Sequence, residues 1–167
     1  MSLKKLGQDS KGVSALEFAL IGPLFILFTI GIIEFGVYFL KRNMVAHVLY
    51  EASRNIQTGE IQNSDDPQQT FLTEYCADTP EFMRCEEISF DVRSFDSISD
   101  VTFPDTIYND DGIPQNFVFQ PGEGEQITAI RASIPHQFVT PLMRNYFQPS
   151  EDPAIFVGYS IAKNEPF

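Results

Sequence analysis

A long apolar segment near the N-terminus constrains this chain more than any other feature of its sequence. The segment covers residues 13–40, and Glu17 and Glu34 are the only charged residues among its 28 positions. An α-helix rises about 1.5 Å per residue, so this segment reaches about 42 Å, whereas the hydrocarbon core of a bilayer is about 30 Å thick. The segment is therefore long enough to cross a membrane as a helix.

A removed secretory signal is the alternative interpretation of this segment, because Lys4 and Lys5 supply a basic region ahead of it. The apolar region of a signal peptide is only about 7–15 residues long, and no small-x-small cleavage motif follows promptly here. These observations favour a retained single-pass anchor. Basic residues precede the segment at 4, 5 and 11 and follow it at 41 and 42, which favours a cytoplasmic N-terminus by a small margin.

The rest of the chain is strongly acidic. Residues 43–167 contain 20 Asp/Glu and 6 Lys/Arg residues, a formal net charge of −14, which offers no attraction to nucleic acid or to an anionic lipid surface. Cys76 and Cys85 form an even pair, which is typical of a disulfide in an oxidising compartment; two buried free thiols are the alternative. Both features predict an extracytoplasmic domain.

The helical pattern continues beyond the apolar segment. Apolar residues recur at helical spacing between Met44 and Ile56, and Gly59 is the expected terminator, so one helix is predicted over residues 13–58. The chain then divides into four parts. These are a basic leader (1–12), a transmembrane helix (13–40), an amphipathic helix continuation (41–59) and an extracytoplasmic α+β domain (60–167).

Short helices and alternating strands are predicted in the C-terminal domain. Asp66 and Pro67 suit the start of a helix that ends near Tyr75, and Thr140-Pro141 opens another. Strands are predicted at 88–95, 127–134 and 154–162, the first two alternating so that one face is buried. Residues 96–124 are expected to be mostly loop, with a short strand near 117–119. The expected fold class is α+β, with the long helix packed on a small antiparallel sheet of about three strands.

No catalytic, cofactor or metal site is indicated by the sequence. His47 and His136 belong to no metal-ligand cluster of sensible spacing if both cysteines are paired, and no nucleophile elbow is present. The acidic runs at 65–66 and 110–112 lack the spacing of an EF-hand and are typical of solvated turns. We therefore expect a protein that is not an enzyme and uses no cofactor.

Glu17 is the residue of the apolar segment that most needs an explanation. An ionised carboxylate at mid-bilayer costs at least about 2.5 kcal/mol on insertion scales, and less near the membrane edge. Glu17 therefore either lies in the headgroup region or is retained for a partner. Glu34 leaves a similar choice: it marks the outer interface and pairs locally near Tyr38, Lys41 and Arg42, or it contacts another helix during assembly.

The residues around Glu17 resemble a known processing site. Gly12 followed by Val13-Ser14-Ala15-Leu16-Glu17-Phe18 is similar to the class III (type IVb) prepilin site, in which a peptidase cuts after a glycine and glutamate is the fifth residue of the mature chain. The continuation at 19–24 and 31–36, the segment 51–54 and the C-terminal residues 164–167 resemble the TadE-like proteins of tight-adherence (Tad, Flp) pilus systems. The resemblance is strongest over residues 11–59.

This resemblance implies a minor pilin or pseudopilin of pilin-like fold, cut between Gly12 and Val13 by a prepilin peptidase. Glu17 and Phe18 would be assembly contacts, because the new α-amine of Val13 on one subunit can neutralise the Glu17 carboxylate of a neighbour. The implied partners are the prepilin peptidase, the major Flp pilin, a sister TadF-like pseudopilin, the inner-membrane assembly platform and membrane lipid, with no nucleic acid. The implied location is the inner membrane, with a single span, a cytoplasmic N-terminus and a periplasmic C-terminal domain, and incorporation into the pilus remains open.

Two alternatives belong to other functional classes. A membrane-anchored extracytoplasmic binding module would keep residues 1–12 attached. An anchored hydrolase would need a clustered catalytic set, which the sequence does not show.

Overall fold

The computed structural model of the chain describes residues 10–80, 83–148 and 152–167. Its helices and strands are, in chain order, α1 (Ser10–Gln57), α2 (Pro67–Asp78), β1 (Ser89–Phe95), β2 (Ile127–His136), α3 (Pro141–Phe147) and β3 (Ala154–Lys163). Short 3-10 turns lie at Cys85–Glu87 and Ile98–Asp100. The expected α+β fold is confirmed, because a long N-terminal helix packs on a three-stranded antiparallel sheet of order β1-β2-β3.

Helix α1 continues from the apolar segment into the core of the C-terminal domain. It passes through Pro23 and ends just before Gly59, which has a φ of +79°. Glycine adopts this left-handed conformation at little cost, so Gly59 is the terminator that the sequence predicts. A Cβ at Gly59 would come within 2.5 Å of the ring of Phe167. The C-terminal residue therefore closes over the end of α1.

One face of the sheet packs on the helices. Phe90, Ala132 and Gly158 lie opposite one another across the three strands and share this face. Gly158 lies beneath α1, where a Cβ would be 3.3 Å from a methyl of Val45, and the ring of Phe90 is 4.3 Å from that of Tyr75 in α2. The glycine thus lets α1 approach the sheet closely. Buried apolar residues between these layers include Val45, Val48, Leu49, Ala52, Ile56, Ile61, Phe71, Tyr75, Val92, Ile130 and Ile134.

On the opposite face of the sheet, the long loop between β1 and β2 covers these two strands, whereas Val157, Tyr159 and Ile161 of β3 remain exposed. The sequence predicted a β2 with one buried face, and this is wrong, because residues 128–134 are all buried. The Arg131 guanidinium donates to the carbonyl of Pro104 at 3.0 Å, and the hydroxyls of Tyr108 and Ser133 are 3.3 Å apart. The alternation of apolar and polar residues correctly indicates the polar face of β2, but it contains no information about a loop that covers this face.

The strand predicted near 117–119 is also wrong. Phe119 forms an isolated backbone bridge with Val92, in which the Val92 amide donates to Val118 and the Gln120 amide donates to Val92, both at 2.8 Å. These two hydrogen bonds fasten the loop to the edge of β1 without extending the sheet.

A buried ion pair holds the same loop. Asp91 is fully buried, and its two carboxylate oxygens accept hydrogen bonds from Arg131 at 2.6 Å and from Arg93 at 2.9 Å. The guanidinium carbon of Arg131 also lies 4.7 Å from the ring centre of Phe103 and 4.8 Å from that of Phe117. Both phenylalanines belong to the loop, so the charge on β2 anchors the loop by stacking as well as by pairing.

Candidate assembly site on the N-terminal helix

The segment expected to be processed, residues 12–18, forms the first turns of α1. Every residue from 12 to 21 is exposed. Val13 and Glu17 are four residues apart, so they share one face of the helix and are separated by about 6 Å along its axis. No other described part of the chain covers this face.

Gly12 has no packing role within the described chain. A Cβ placed on it would meet no atom within 4 Å, and its backbone has the negative φ of a helix. Glycine within a helix is about 1 kcal/mol less favourable than alanine. Gly36 is equally open, so openness alone does not mark a cleavage position. What distinguishes Gly12 is its place immediately before the segment that carries Glu17.

Glu17 makes no hydrogen bond or ion pair within the residues that the structure describes. The structure therefore leaves this carboxylate without an intramolecular partner, at the end of α1 that lies farthest from the sheet. A charge in this position is satisfied only by solvent, by headgroups or by another molecule.

Phe18 presents an apolar surface beside Glu17. Its ring lies over Gly22 one turn later, with three ring carbons 3.5 to 3.7 Å from the position of a Cβ there. Gly22 is consequently buried beneath the ring, although the ring itself remains largely exposed. Glu17 and Phe18 thus place one charge and one aromatic group side by side on an uncovered helix.

An uncovered apolar surface follows these residues. Between residues 12 and 33, only Gly22 and Gly31 are buried. In the most apolar window of α1, 11% of the residues are buried, whereas the central helix of a soluble protein would be mostly buried. The stretch from 13 to 33 reaches about 31 Å, the thickness of one hydrocarbon core. One apolar N-terminal helix therefore fits a single-pass membrane anchor.

Glu34 lies where the domain first touches α1. Its carboxylate accepts hydrogen bonds from the amide of Val139 and from the amide and hydroxyl of Thr140, the residues that precede α3. Met143 of α3 lies against Gly31, with its terminal methyl 3.6 Å from the position of a Cβ there. The sequence interpretation of local pairing near Tyr38, Lys41 and Arg42 is therefore wrong about the partners, because Glu34 pairs within the chain with the two residues that precede α3.

An aromatic cluster completes the contact between α3 and α1. The ring of Tyr38 is 4.4 Å from Phe156, 5.6 Å from Phe138 and 6.4 Å from Phe147. Phe147 also lies 6.2 Å from Phe35. Since aromatic pairs at these distances attract one another, α3 is held on α1 along two turns of the long helix.

A polar cleft lies above this cluster. It has a volume of about 450 Å³ and is lined by residues that include Lys41, Glu87, Asp111 and His136. Burial lowers the pKa of His136, and the positive charge of Lys41 lowers it further, against a smaller opposing effect of Glu34. Among the described residues, no three His, Cys, Asp or Glu side chains are grouped to hold a metal ion.

The two cysteines lie near this cleft, because the 3-10 turn that begins at Cys85 also supplies Glu87 to its lining. Cys76 near the end of α2 and Cys85 in a 3-10 turn are joined by a disulfide, with Cα atoms 5.5 Å apart. The turn predicted at 110–112 is also present, with Gly112 at φ +76° and the Asn109 side chain accepting from two amides of the turn. Neither the disulfide nor this turn contacts residues 12–18.

The long helix is the part of the chain that resembles known proteins. Residues 12–54 match the sequence profile of a family described as TadE-like protein. Neither a curated protein nor a solved structure matches the chain. The matched region begins at Gly12, includes Glu17 and Phe18, and ends within the part of α1 that packs on the sheet. Over residues 12–54, about a quarter of its length, the chain is therefore similar to TadE-like proteins.

Proposed function

We propose that this chain is a minor pilin or pseudopilin that supports assembly of a Tad (Flp) pilus. The observation that carries the proposal is the TadE-like match over residues 12–54. An uncovered apolar helix joined to a small disulfide-bonded domain supports it. In this role the chain is a substrate of the assembly machinery rather than an enzyme.

The first step is cleavage after Gly12 by a prepilin peptidase. A residue without Cβ lets a peptidase approach the backbone closely, and among the residues that the structure describes, Gly12 meets no neighbour that would explain its presence otherwise. Cleavage removes the basic leader and leaves Val13 with a free α-amine at the membrane surface.

The second step is charge neutralisation between subunits. The Glu17 carboxylate has no partner within the described chain, and the new amine of Val13 is a cation in the same layer of the membrane. Two such charges that meet at low dielectric relieve each other's desolvation cost. Within one chain the two groups are also close, since they are four residues apart, but only a contact between chains favours assembly. Phe18 supplies apolar contact area beside this pair.

The proposed location is the inner membrane, with the N-terminus in the cytoplasm and the disulfide-bonded domain in the oxidising periplasm. The proposed partners there are the prepilin peptidase, the major Flp pilin, a TadF-like pseudopilin and the assembly platform.

Cleavage is tested by the intact mass of the chain extracted from membranes of a Tad-expressing strain. The expected product begins at Val13. Gly12→Val should accumulate with residues 1–12 attached, whereas the control Gly36→Val, at an equally open glycine, should be processed normally. A parent chain that retains residues 1–12 would favour the unprocessed binding module and exclude the pilin proposal.

The role of Glu17 is tested separately by counting pili. Glu17→Gln keeps the shape of the side chain and removes its charge, so we expect normal insertion and cleavage with few or no pili. The control Glu51→Gln removes a charge from the part of α1 that lies outside the membrane and should leave piliation unchanged. Normal pili with Glu17→Gln and Glu17→Ala would refute the pairing.

A further inference from the structure

We propose that α3 is an interfacial helix, which rests on the outer headgroup region of the membrane that α1 crosses. The lipid-facing patch would consist of Val139, Leu142 and Tyr146. The inference requires that α1 spans the bilayer, but it does not require a role in a pilus.

The first argument is the exposure of these side chains. Val139 and Tyr146 are each 80% exposed, although the domain has a well-formed core a few residues away. Leu142 and Phe147 are also exposed. Leu142 and Tyr146 are four residues apart on α3 and share one face of it, and Val139 lies just before the helix; these three residues are called the stripe. Contiguous apolar surface of this kind marks a contact with a membrane or a partner.

The second argument is the height at which α3 is held. Gly31 and Glu34, its contacts on α1, lie 18 and 21 residues after Val13. At 1.5 Å per residue these contacts are about 27 and 32 Å along the helix from Val13, which is one hydrocarbon thickness. If the span begins at Val13, the stripe lies at the outer boundary of the bilayer.

The third argument is continuity with the surface that lipid must already cover. The apolar side chains of α1 are exposed from Val13 to Ile33 and, on the sides that α3 leaves open, as far as Leu40, and α3 attaches to α1 within this surface. The stripe therefore extends the lipid-facing surface of the span sideways, beneath the domain. A second protein seated on the stripe would have to share this layer with the headgroups.

The fourth argument is composition. Arg144 is the only charged residue between 138 and 147, in a chain whose residues 43–167 have a formal net charge of −14. Tyrosine and phenylalanine suit the headgroup layer, where interfacial helices bury their apolar face to about 5–10 Å. Glu34 fits the same layer, because its oxygens are occupied by the backbone amides and hydroxyl that precede α3. Apolar contact rather than attraction to anionic lipid is the expected basis of binding.

The chain contains no tryptophan, so a single tryptophan reports on one position. The full chain carrying Tyr146→Trp would be placed, one copy per disc, in phosphatidylcholine nanodiscs with brominated acyl chains. Phe28→Trp in the middle of the span and Tyr50→Trp on the domain part of α1 are controls, both exposed in the structure. Leu142→Trp is a second probe of the stripe in case Tyr146→Trp does not fold, as judged by circular dichroism.

We expect the Tyr146→Trp emission to be blue-shifted and quenched, more by bromines near the headgroups than by bromines near the chain ends. Phe28→Trp should show the reverse order of quenching, and Tyr50→Trp should not be quenched. The inference would be overturned if the emission of both stripe probes, Tyr146→Trp and Leu142→Trp, resembled that of Tyr50→Trp while Phe28→Trp was quenched. Protection of the stripe only in discs with two copies would also overturn it, in favour of a second chain as the occupant. An unquenched Phe28→Trp would remove the span itself and the inference with it. These discs contain no pilus component, so the Glu17 experiments decide the pilus role independently.

Discussion

The buried carboxylate of Asp91 provides a quantitative test of what holds the C-terminal domain together. In an Asp91→Asn variant, the side-chain oxygen can still accept the hydrogen bond of Val118, which is 3.1 Å long in the parent. In the parent, a carboxylate oxygen of Asp91 lies 2.6 Å from the guanidinium of Arg131. The neutral amide of the variant no longer balances that positive charge. Because Arg131 is 4% exposed, it cannot replace that partner by water unless the covering loop moves.

The expected loss follows from this burial. Removing one partner of a buried ion pair costs about 3–5 kcal/mol, because the other charge is left uncompensated. The rings of Phe103 and Phe117 stay beside the guanidinium in parent and variant, so their contribution cancels in the comparison. A domain of this size has a total stability of about 5–15 kcal/mol. With a urea m value of about 1–3 kcal/mol per molar, the unfolding midpoint should fall by at least about 1 M.

The measurement is urea unfolding of the full chain in detergent micelles, followed by circular dichroism with the disulfide intact. Asp110→Asn changes an exposed carboxylate in the same loop and should stay within about 0.5 kcal/mol of the parent. The double variant Asp91→Asn/Arg131→Met should be more stable than the sum of the single losses predicts, since the charge it leaves unpaired, on Arg93, is partly exposed to solvent, unlike that of Arg131. A midpoint for Asp91→Asn equal to that of the control, or strictly additive losses in the double variant, would refute this reasoning.

Three further predictions concern other parts of the domain. Replacing Cys76 and Cys85 by serine should lower the free energy of unfolding by about 2–3 kcal/mol, because the disulfide closes a short loop in the unfolded chain; urea titrations of variant and parent measure the loss. The folded pKa of His136 is lowered, so below about pH 6.5 the unfolded chain binds its proton first and stability should decrease as the pH falls. Melting temperatures in that range should fall less steeply for His136→Phe, and equal slopes would contradict the prediction. Glu34→Ala should speed amide hydrogen exchange at Val139 and Thr140, whereas Glu34→Gln, which keeps an acceptor, should do so less; unchanged exchange in both would show that Glu34 does not hold α3.

The elements with local signals could be predicted from the sequence. Asp66 caps α2 through a 3.0 Å hydrogen bond from the Gln69 amide, and Pro67 begins the helix, as the residue types at those positions indicate. The three predicted strands of the sheet and α3 differ from the observed ones only at their ends. In each case the residues that decide the structure lie within a few positions of one another, so a single sequence contains the necessary information.

The errors concern contacts between distant segments. Asp91 and Arg131 lie on the polar face of their strands, which alternation assigns to solvent, and their burial depends on a loop that has no regular pattern. Glu34 is similar, because its partner Val139 is 105 positions away and no residue near either one indicates the other. One signal could have indicated a covered sheet. It is the presence of large apolar residues on the same outer face of a strand as the charged residues.

Because the sheet packs directly on α1, the domain and the uncovered N-terminal part of this helix are joined by continuous helical backbone rather than by a linker. Each residue of a helix is rotated by about 100° about the helix axis. The direction of Glu17 about this axis therefore follows from its spacing from Val45, which contacts Gly158 of the sheet. In the proposed pilus role, a partner that binds the acidic domain would therefore also set the direction in which Glu17 points at the other end of the helix. Docking of the domain outside the membrane and pairing of the Glu17 charge within it would then occur together rather than as two successive binding steps.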